Sequence, residues 1–354
     1  MPAFHDRDPS VPVIGWDLGG VHVKAALVAP DGRVAAAVQA RCPLWEGLPA
    51  LDAALADLPA WTRAPARHAV TMTGELTDCF ADRADGVARL AGWAAAALAG
   101  SVAVYAGRAG FVAPEAAGAV HADVASANWH ATAALAGRRL GGAGLLVDVG
   151  STTADLIPVR AGVPAAEGYS DAERLETGEL VYTGVVRTPL LALAATAPFR
   201  GRLTGLMAEV FATTADAYRL TGDLDPEADQ QDTPDLRGKS IPESETRLAR
   251  MIGRDRHEGE AADWARLAGW FAERQLRLLH DAAERILSRG DLPAAAPVVA
   301  CGAGRFLARR LAARLDRPTV DLADLLAPLL AEGAGPAGVS TCGPAVAVGL
   351  LAAG

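Results

Sequence analysis

Lysine is almost missing from this chain. Of 33 basic residues only Lys24 and Lys239 are lysine, and asparagine occurs once, at Asn128. A bias toward arginine and alanine reads as genome composition, and it makes the few survivors worth following. Paired cysteines are missing as well. Cys42, Cys79, Cys301 and Cys342 are scattered with no CxxC, which excludes a zinc site and a disulfide framework and fits a reducing compartment. Positive charge is short too: the formal net charge is −9. This excludes a nucleic-acid backbone as the main partner. Any bound phosphate must then be held by local donors and a metal, not by the overall field. The start, MPAFHDRDPS, lacks the apolar stretch of a signal peptide. The one long uncharged run, 90–107, is mostly Ala and Gly and breaks at Gly100–Ser101. It reads as a helix end followed by a strand, not as a membrane span. The expected location is cytoplasmic.

What is present is a globular composition, 51% hydrophobic and 21% charged, in which 354 residues make two domains the natural expectation. Residues 12–41 read as three strands joined by a Gly–Gly turn and a Pro30-Asp31-Gly32 turn. A short helix, the strand HAVTMTG, a helical stretch over about 78–99, the strand SVAVYAG and a helix over 123–139 follow. The pattern restarts at GAGLLVDVG and its return strand STTADLIPV. Laying Asp17 on Asp148 puts Gly19 on Gly150, Gly20 on Ser151 and Lys24 on Asp155, an internal echo that suggests two similar domains with a cleft between them. Residues 170–290 are largely helical. Within them, 222–247 is polar and broken and reads as a mobile loop. The chain ends with the strand APVVACG, an amphipathic helix, the strand PTVDLA and a helix from about Pro344. The expected class is α/β.

Three loops carry chemistry. Asp17-Leu18-Gly19-Gly20 places a carboxylate at the end of an apolar strand, and its glycines let backbone N–H groups approach an anion. Lys24, on the return strand of that hairpin, offers a point charge to a phosphate oxygen. Asp148-Val149-Gly150-Ser151-Thr152-Thr153 repeats the device and adds three hydroxyls. One carboxylate in each loop, Asp17 and Asp148, suits hydrated Mg²⁺. Gly302-Ala303-Gly304, between a strand and a helix, is a turn that can seat a nucleotide or another flat ligand, or be a plain structural turn. It is not a Rossmann fingerprint, because Leu307 stands where the last glycine would be.

These three elements, in this order, resemble the phosphate and adenosine motifs of the superfamily that holds acetate kinase, the sugar kinases, the heat-shock chaperones and actin. The phosphate loops resemble those of hydantoinase/oxoprolinase-like proteins. A narrower resemblance lies in MTGELTDCF (72–80), NWHATAAL (128–135), VGSTTADLIPV (149–159), GELVYTGVVRTP (178–189), TTADAYRLTGD (213–223) and RLARMIGRD (247–255). As a set these are similar to the methanofuran-biosynthesis synthase family, whose bacterial relatives are linked to tetrahydromethanopterin-dependent one-carbon transfer.

The resemblance implies two ribonuclease-H-like domains flanking a central cleft. The first would span 12–139, completed by the C-terminal helix 344–354. The second would span 140–343. It also implies a transferase that joins an aminomethylfuran-methyl diphosphate to the phenol of a (γ-glutamyl)tyramine- or tyrosine-type acceptor, releasing diphosphate. Small molecules would be its partners, with no membrane and no nucleic acid; oligomeric state is left open, a homodimer included. The alternative is an ATP-dependent kinase or ATP-driven amidohydrolase of the same superfamily, the only reading in which ATP is a cofactor. For the ether-forming reaction, Mg²⁺, Lys24 and loop N–H groups would neutralise the leaving diphosphate. A phenol, with pKa ~10, needs a base. Glu75 in MTGELTD is the first candidate and Asp155 the second, and a helix N-terminal place is the bland account of Glu75. Asp155 is also a candidate to orient Lys24. Asn128 is either an N-cap or a substrate holder, with Trp129 stacking on an aromatic ring. Arg187 is a candidate for phosphate or carboxylate, Lys239 for a lid residue, and His22 for a phosphate donor or a solvent-facing strand residue. The acids between Asp223 and Asp235 read as a solvated loop.

Overall fold

The structure, a computed structural model, describes residues 8–354. Two compact units interleave along the chain. The first takes residues up to Leu146, then Ile157–Arg174 and Val320–Gly354; the second takes Val147–Leu156 and Leu175–Thr319.

The first unit is built on a six-stranded sheet of order β3-β2-β1-β4-β5-β6. Its strands are β1 (Val13–Leu18), β2 (His22–Val28), β3 (Val34–Arg41), β4 (Ala66–Met72), β5 (Gly100–Tyr105) and β6 (Phe111–Val112). β1 pairs antiparallel with β2 and parallel with β4. Every residue of β1 and β4 is buried, as expected of central strands covered on both faces. Trp16 is wholly buried, and its indole N–H donates to His68 Nδ1 at 3.0 Å. The terminal helix Gly343–Ala353, rich in Ala, Val and Gly, lies on β1, β2 and β4. The uncharged run at 90–107 resolves into the end of helix Arg83–Ala97 and strand β5. No helix among the described residues is long and apolar enough to cross a membrane.

The second sheet contains β7 (Gly144–Val149), β8 (Ala154–Arg160), β9 (Val163–Pro164), β10 (Leu180–Val181), β13 (Val298–Cys301) and β14 (Thr319–Asp321). Its order is β10-β8-β7-β13-β14, with β9 also on β8. With β9 left aside, both sheets run third, second, first, fourth, fifth from one edge. A separate hairpin, β11 (Thr196–Phe199) and β12 (Arg202–Gly205), sits on a helical core in which Phe199 stacks on Trp264 at 4.9 Å.

The segment 222–247 is more ordered than its composition suggests. A helix already starts at Ile241, and its N-terminus is closed by a Ser240–Glu243 capping box. Asp223, Asp229 and Asp235 are drawn in by cations, while Asp225, Glu227 and Asp232 are exposed as expected of a solvated loop. Arg247, fully buried, binds Asp216 and Asp235; Arg219 binds Asp216 and Asp229; Arg310 binds Asp223. Lys239 donates to the Asp229 backbone carbonyl at 2.6 Å, so the side chain read as a lid residue anchors its own loop instead.

Candidate functional site

The first hairpin turns tightly. Gly19 N–H donates to the His22 carbonyl at 3.0 Å. Asp17, two residues earlier on β1, is cross-strand partner to Lys24, and their charged groups are 3.8 Å apart. Asp17 is 4% exposed, Lys24 partly buried and Gly20 half-buried. Antiparallel register, not sequence spacing, makes this carboxylate–ammonium pair. His22 is buried, which corrects its reading as a solvent-facing strand residue. Cys342 is close enough to feel both charges, and burial pushes its thiol up to about 12. It stays neutral and is no nucleophile at physiological pH.

The second hairpin repeats the turn in the other unit. Gly150 N–H donates to the Thr153 carbonyl at 2.8 Å, and Asp148 stands two residues before it on β7, 8% exposed. Ser151, Thr152 and Thr153 are half-buried, with Ser151 Oγ and Thr152 Oγ1 3.4 Å apart. Backbone supports this turn. Val185 N–H donates to Gly150, and Val186 and Arg187 N–H groups donate to Ser151, at 2.9–3.1 Å. Gln275 holds that supporting strap through Thr183 and the Gly184 carbonyl, both at 2.8 Å. The Gly302-Ala303-Gly304 turn closes on the same loop. Gly304 N–H donates to the Val149 carbonyl at 2.7 Å, and a Cβ on Gly302 (φ +84) would overlap that carbonyl and the Asp148 carboxylate. Arg187 is exposed beside the turn. Asp155 is buried on β8, opposite Leu180.

These donors fit a hydrated Mg²⁺ better than a full protein cage. Among the described residues no three His, Cys, Asp or Glu gather about a common point. Asp17 and Asp148 are each a hard oxygen donor at a strand end, and either one by itself would leave most of an octahedral shell to phosphate and water.

Glu75 lies beside the first hairpin, because Thr73 and Gly74 N–H groups both donate to the Leu18 carbonyl at 3.0 Å. It is not at a helix N-terminus: the next helix starts at Arg83, so helix-dipole stabilisation does not explain it. The side chain is 1% exposed. One carboxylate oxygen, Oε1, accepts from Ser126 Oγ at 2.8 Å; the other, Oε2, is buried with no hydrogen-bond partner. Burial, opposed by the Ser126 hydrogen bond, raises its pKa to about 7. Ser126 Oγ lies 3.2 Å from Asp171 Oδ2, and Asp171 is gripped by Arg83 at 2.6 Å and Arg174 at 2.9 Å.

Two sequence expectations change here. Asn128 is not the N-cap; Ala127 holds that place, and no side-chain cap bond forms. Trp129 is buried, with the Arg174 guanidinium 4.8 Å over its ring and His130 and Tyr169 at its edges. It is a packed member of the protein, not a platform for a substrate ring. Ser126, Asp171, Arg83 and Arg174 escaped the sequence reading. Only the acid–arginine spacing of Asp171 and Arg174 on one helix face hinted at them.

The hydantoinase/oxoprolinase family model matches residues 67–341. The (4-{4-[2-(gamma-L-glutamylamino)ethyl]phenoxymethyl}furan-2-yl)methanamine synthase of Methanocaldococcus jannaschii is 31% identical over 280 residues, 79% of this chain and 83% of its own. The protein of the same name from Methanococcus vannielii is 37% identical over 125 residues, 35% of this chain and 55% of its own. Among solved structures, nucleotide-free acetone carboxylase superposes with a TM-score of 0.54 at 12% identity, covering 84% of this chain and 66% of that one. The chain is an enzyme that belongs to the hydantoinase/oxoprolinase family, related to the furanyl-methanamine synthases, with an α/β fold that acetone carboxylase shares.

Proposed function

We propose that the protein is a transferase of methanofuran-type cofactor biosynthesis. It would join an aminomethylfuran-methyl diphosphate to the phenol oxygen of a tyramine- or tyrosine-type acceptor, forming an ether and releasing diphosphate. One observation carries the reading: the 31% identity to the furanyl-methanamine synthase runs through most of both chains. The phenoxymethyl-furan linkage in that relative's name is the bond such a reaction makes.

The site chemistry supports it. The bond that breaks joins the furfuryl CH₂ to a diphosphate oxygen, and its electron pair leaves with diphosphate. Lys24, anchored by Asp17, offers fixed positive charge to that leaving group, and the Gly20 N–H of the same turn is a candidate hydrogen-bond donor to it. Mg²⁺ held by Asp17 or Asp148 would supply further neutralisation when bound. The furan ring spreads the positive charge that develops at CH₂, so the protein need only bind, orient and accept a proton. Glu75 is the base beside the hairpin; Asp155 is a buried acid of the other unit.

The ATP-dependent alternative rests on the contact between the Gly302–Gly304 turn and the Asp148 loop, a turn that can seat a nucleotide. Incubation with Mg²⁺, the furfuryl diphosphate and a tyramine-type phenol, read by mass spectrometry, separates the two. Ether and diphosphate are expected in equal amounts. Turnover of ATP with no ether product overturns the transferase reading.

A further inference from the structure

We propose that Ser126 and Asp171 are positioning residues that turn Glu75 into a directed base, with Oε1 tied down and Oε2 left to take the proton. The proposal rests on the transferase reading for the identity of the proton donor, and on geometry for the rest. Glu75 is buried and its two oxygens are unlike. Oε1 is held by Ser126 at 2.8 Å, while Oε2 has no partner. A buried carboxylate oxygen without a donor is costly, and a substrate hydroxyl is a group that would satisfy it.

Ser126 is itself held in place. Its backbone is left-handed (φ +52), which only a few per cent of non-glycine residues adopt. Its hydroxyl oxygen is within hydrogen-bond distance of both Glu75 Oε1 and Asp171 Oδ2. Asp171 is pinned by Arg83 and Arg174. The groups that act electrostatically on Glu75 are Asp171, which raises its proton affinity, and Arg83, which lowers it. Both lie in the same unit, on helices 171–177 and 83–97.

In the step itself the phenol O–H proton passes to Glu75 Oε2. The phenolic oxygen forms the new C–O bond at the furfuryl CH₂, and the diphosphate C–O bond breaks with its electron pair on diphosphate. Glu75 then returns the proton to water. No oxidant or further reactant is needed.

The test uses two readouts on the full chain. The first is the carboxyl ¹³C NMR titration of Glu75, assigned with Glu75→Gln, in the protein without substrate. Ser126→Gly keeps the left-handed backbone and removes the hydroxyl, so the midpoint should rise. Asp171→Asn removes the opposing charge, so the midpoint should fall. Unmoved midpoints, or shifts of the opposite sign, overturn the positioning. Should Ser126→Gly not fold, Ser126→Ala and Asp171→Asn carry the same test. The second readout is the pH profile of kcat/KM for ether formation. Its acid limb should move with the Glu75 midpoint in each variant, and Glu75→Gln should lose the limb together with most of kcat. Full activity in Glu75→Gln overturns the proposal even where ether is made. Wild type that makes no ether, but whose Glu75 shifts as stated, overturns the transferase reading and upholds the Ser126–Asp171 positioning.

Discussion

The hairpins at Asp17 and Asp148 share a turn and differ in what holds it. In each, a glycine N–H two residues past the aspartate donates to a carbonyl three residues on. The first adds side-chain charge, Lys24 across the ladder from Asp17, to backbone bonds from Thr73 and Gly74 to the Leu18 carbonyl. The second is supported by backbone: the strap around Gly184, the close approach of Gly302, and N–H groups from Val185 to Arg187. The lesson is that one turn can be built in two ways. A charge-built turn carries a pair whose strength depends on pH, whereas the backbone-built turn leaves no room for an added carbon where Gly302 presses on it.

The largest expected effect breaks the second hairpin. Gly302→Ala adds a Cβ against the Val149 carbonyl and the Asp148 carboxylate at a positive φ, and should cost about 4 kcal/mol. Urea denaturation would read it as a large fall in midpoint. A loss below roughly 1 kcal/mol would mean that the Gly302 turn yields easily.

Glu75→Gln should act with the opposite sign and sharpen the electrostatic half of the comparison. The Glu75 pKa is raised from 4.5 to about 7. Between those values the folded protein keeps a proton that the unfolded chain has lost. Its favourable contribution is therefore complete below about pH 4.5 and lost as pH rises through 7. Glutamine removes that pH dependence, so the variant should be more stable than wild type at pH 8 by roughly 3 kcal/mol at most, with no such gain at pH 4. Paired denaturation curves at the two pH values check this; an equal difference at both would refute it.

Lys24→Ala tests the charge-built turn as a clamp. Ether formation should fall about 100-fold, mainly in kcat, since the ammonium acts on charge that grows in the transition state. Unchanged product formation would remove Lys24 from the clamp. The smallest effect compares equivalent glycines. A Cβ at Gly19 would stand 2.7 Å from the His22 carbonyl, whereas at Gly150 it meets only the Thr153 carbonyl at 3.5 Å. Gly19→Ala should cost about 2 kcal/mol and Gly150→Ala less than about 1. Equal losses would dissolve the difference between the two turns.

What the sequence alone determined is local. Apolar strands ending in Asp and Gly, repeated 131 residues apart (148 − 17), exposed both hairpins and the echo between the sheets, because strand period and turn chemistry act over a few neighbours. The family strings led to the same fold. What only the tertiary structure decided depends on distant partners. The internal echo made Lys24 the equivalent of Asp155, and ladder register made Asp17 its partner. Asp223, Asp229 and Asp235 read as solvated along with their neighbours, and only folding brought Arg310, Arg219 and Arg247 onto them. Trp129 looked like a platform until Arg174 covered it. Glu75 is the sharpest case. Its partner Ser126 lies 51 residues away, and Asp171 a further 45 beyond Ser126. A carboxylate's chemistry is set by what surrounds it at 3 Å, and chain folding, not sequence spacing, chooses those neighbours.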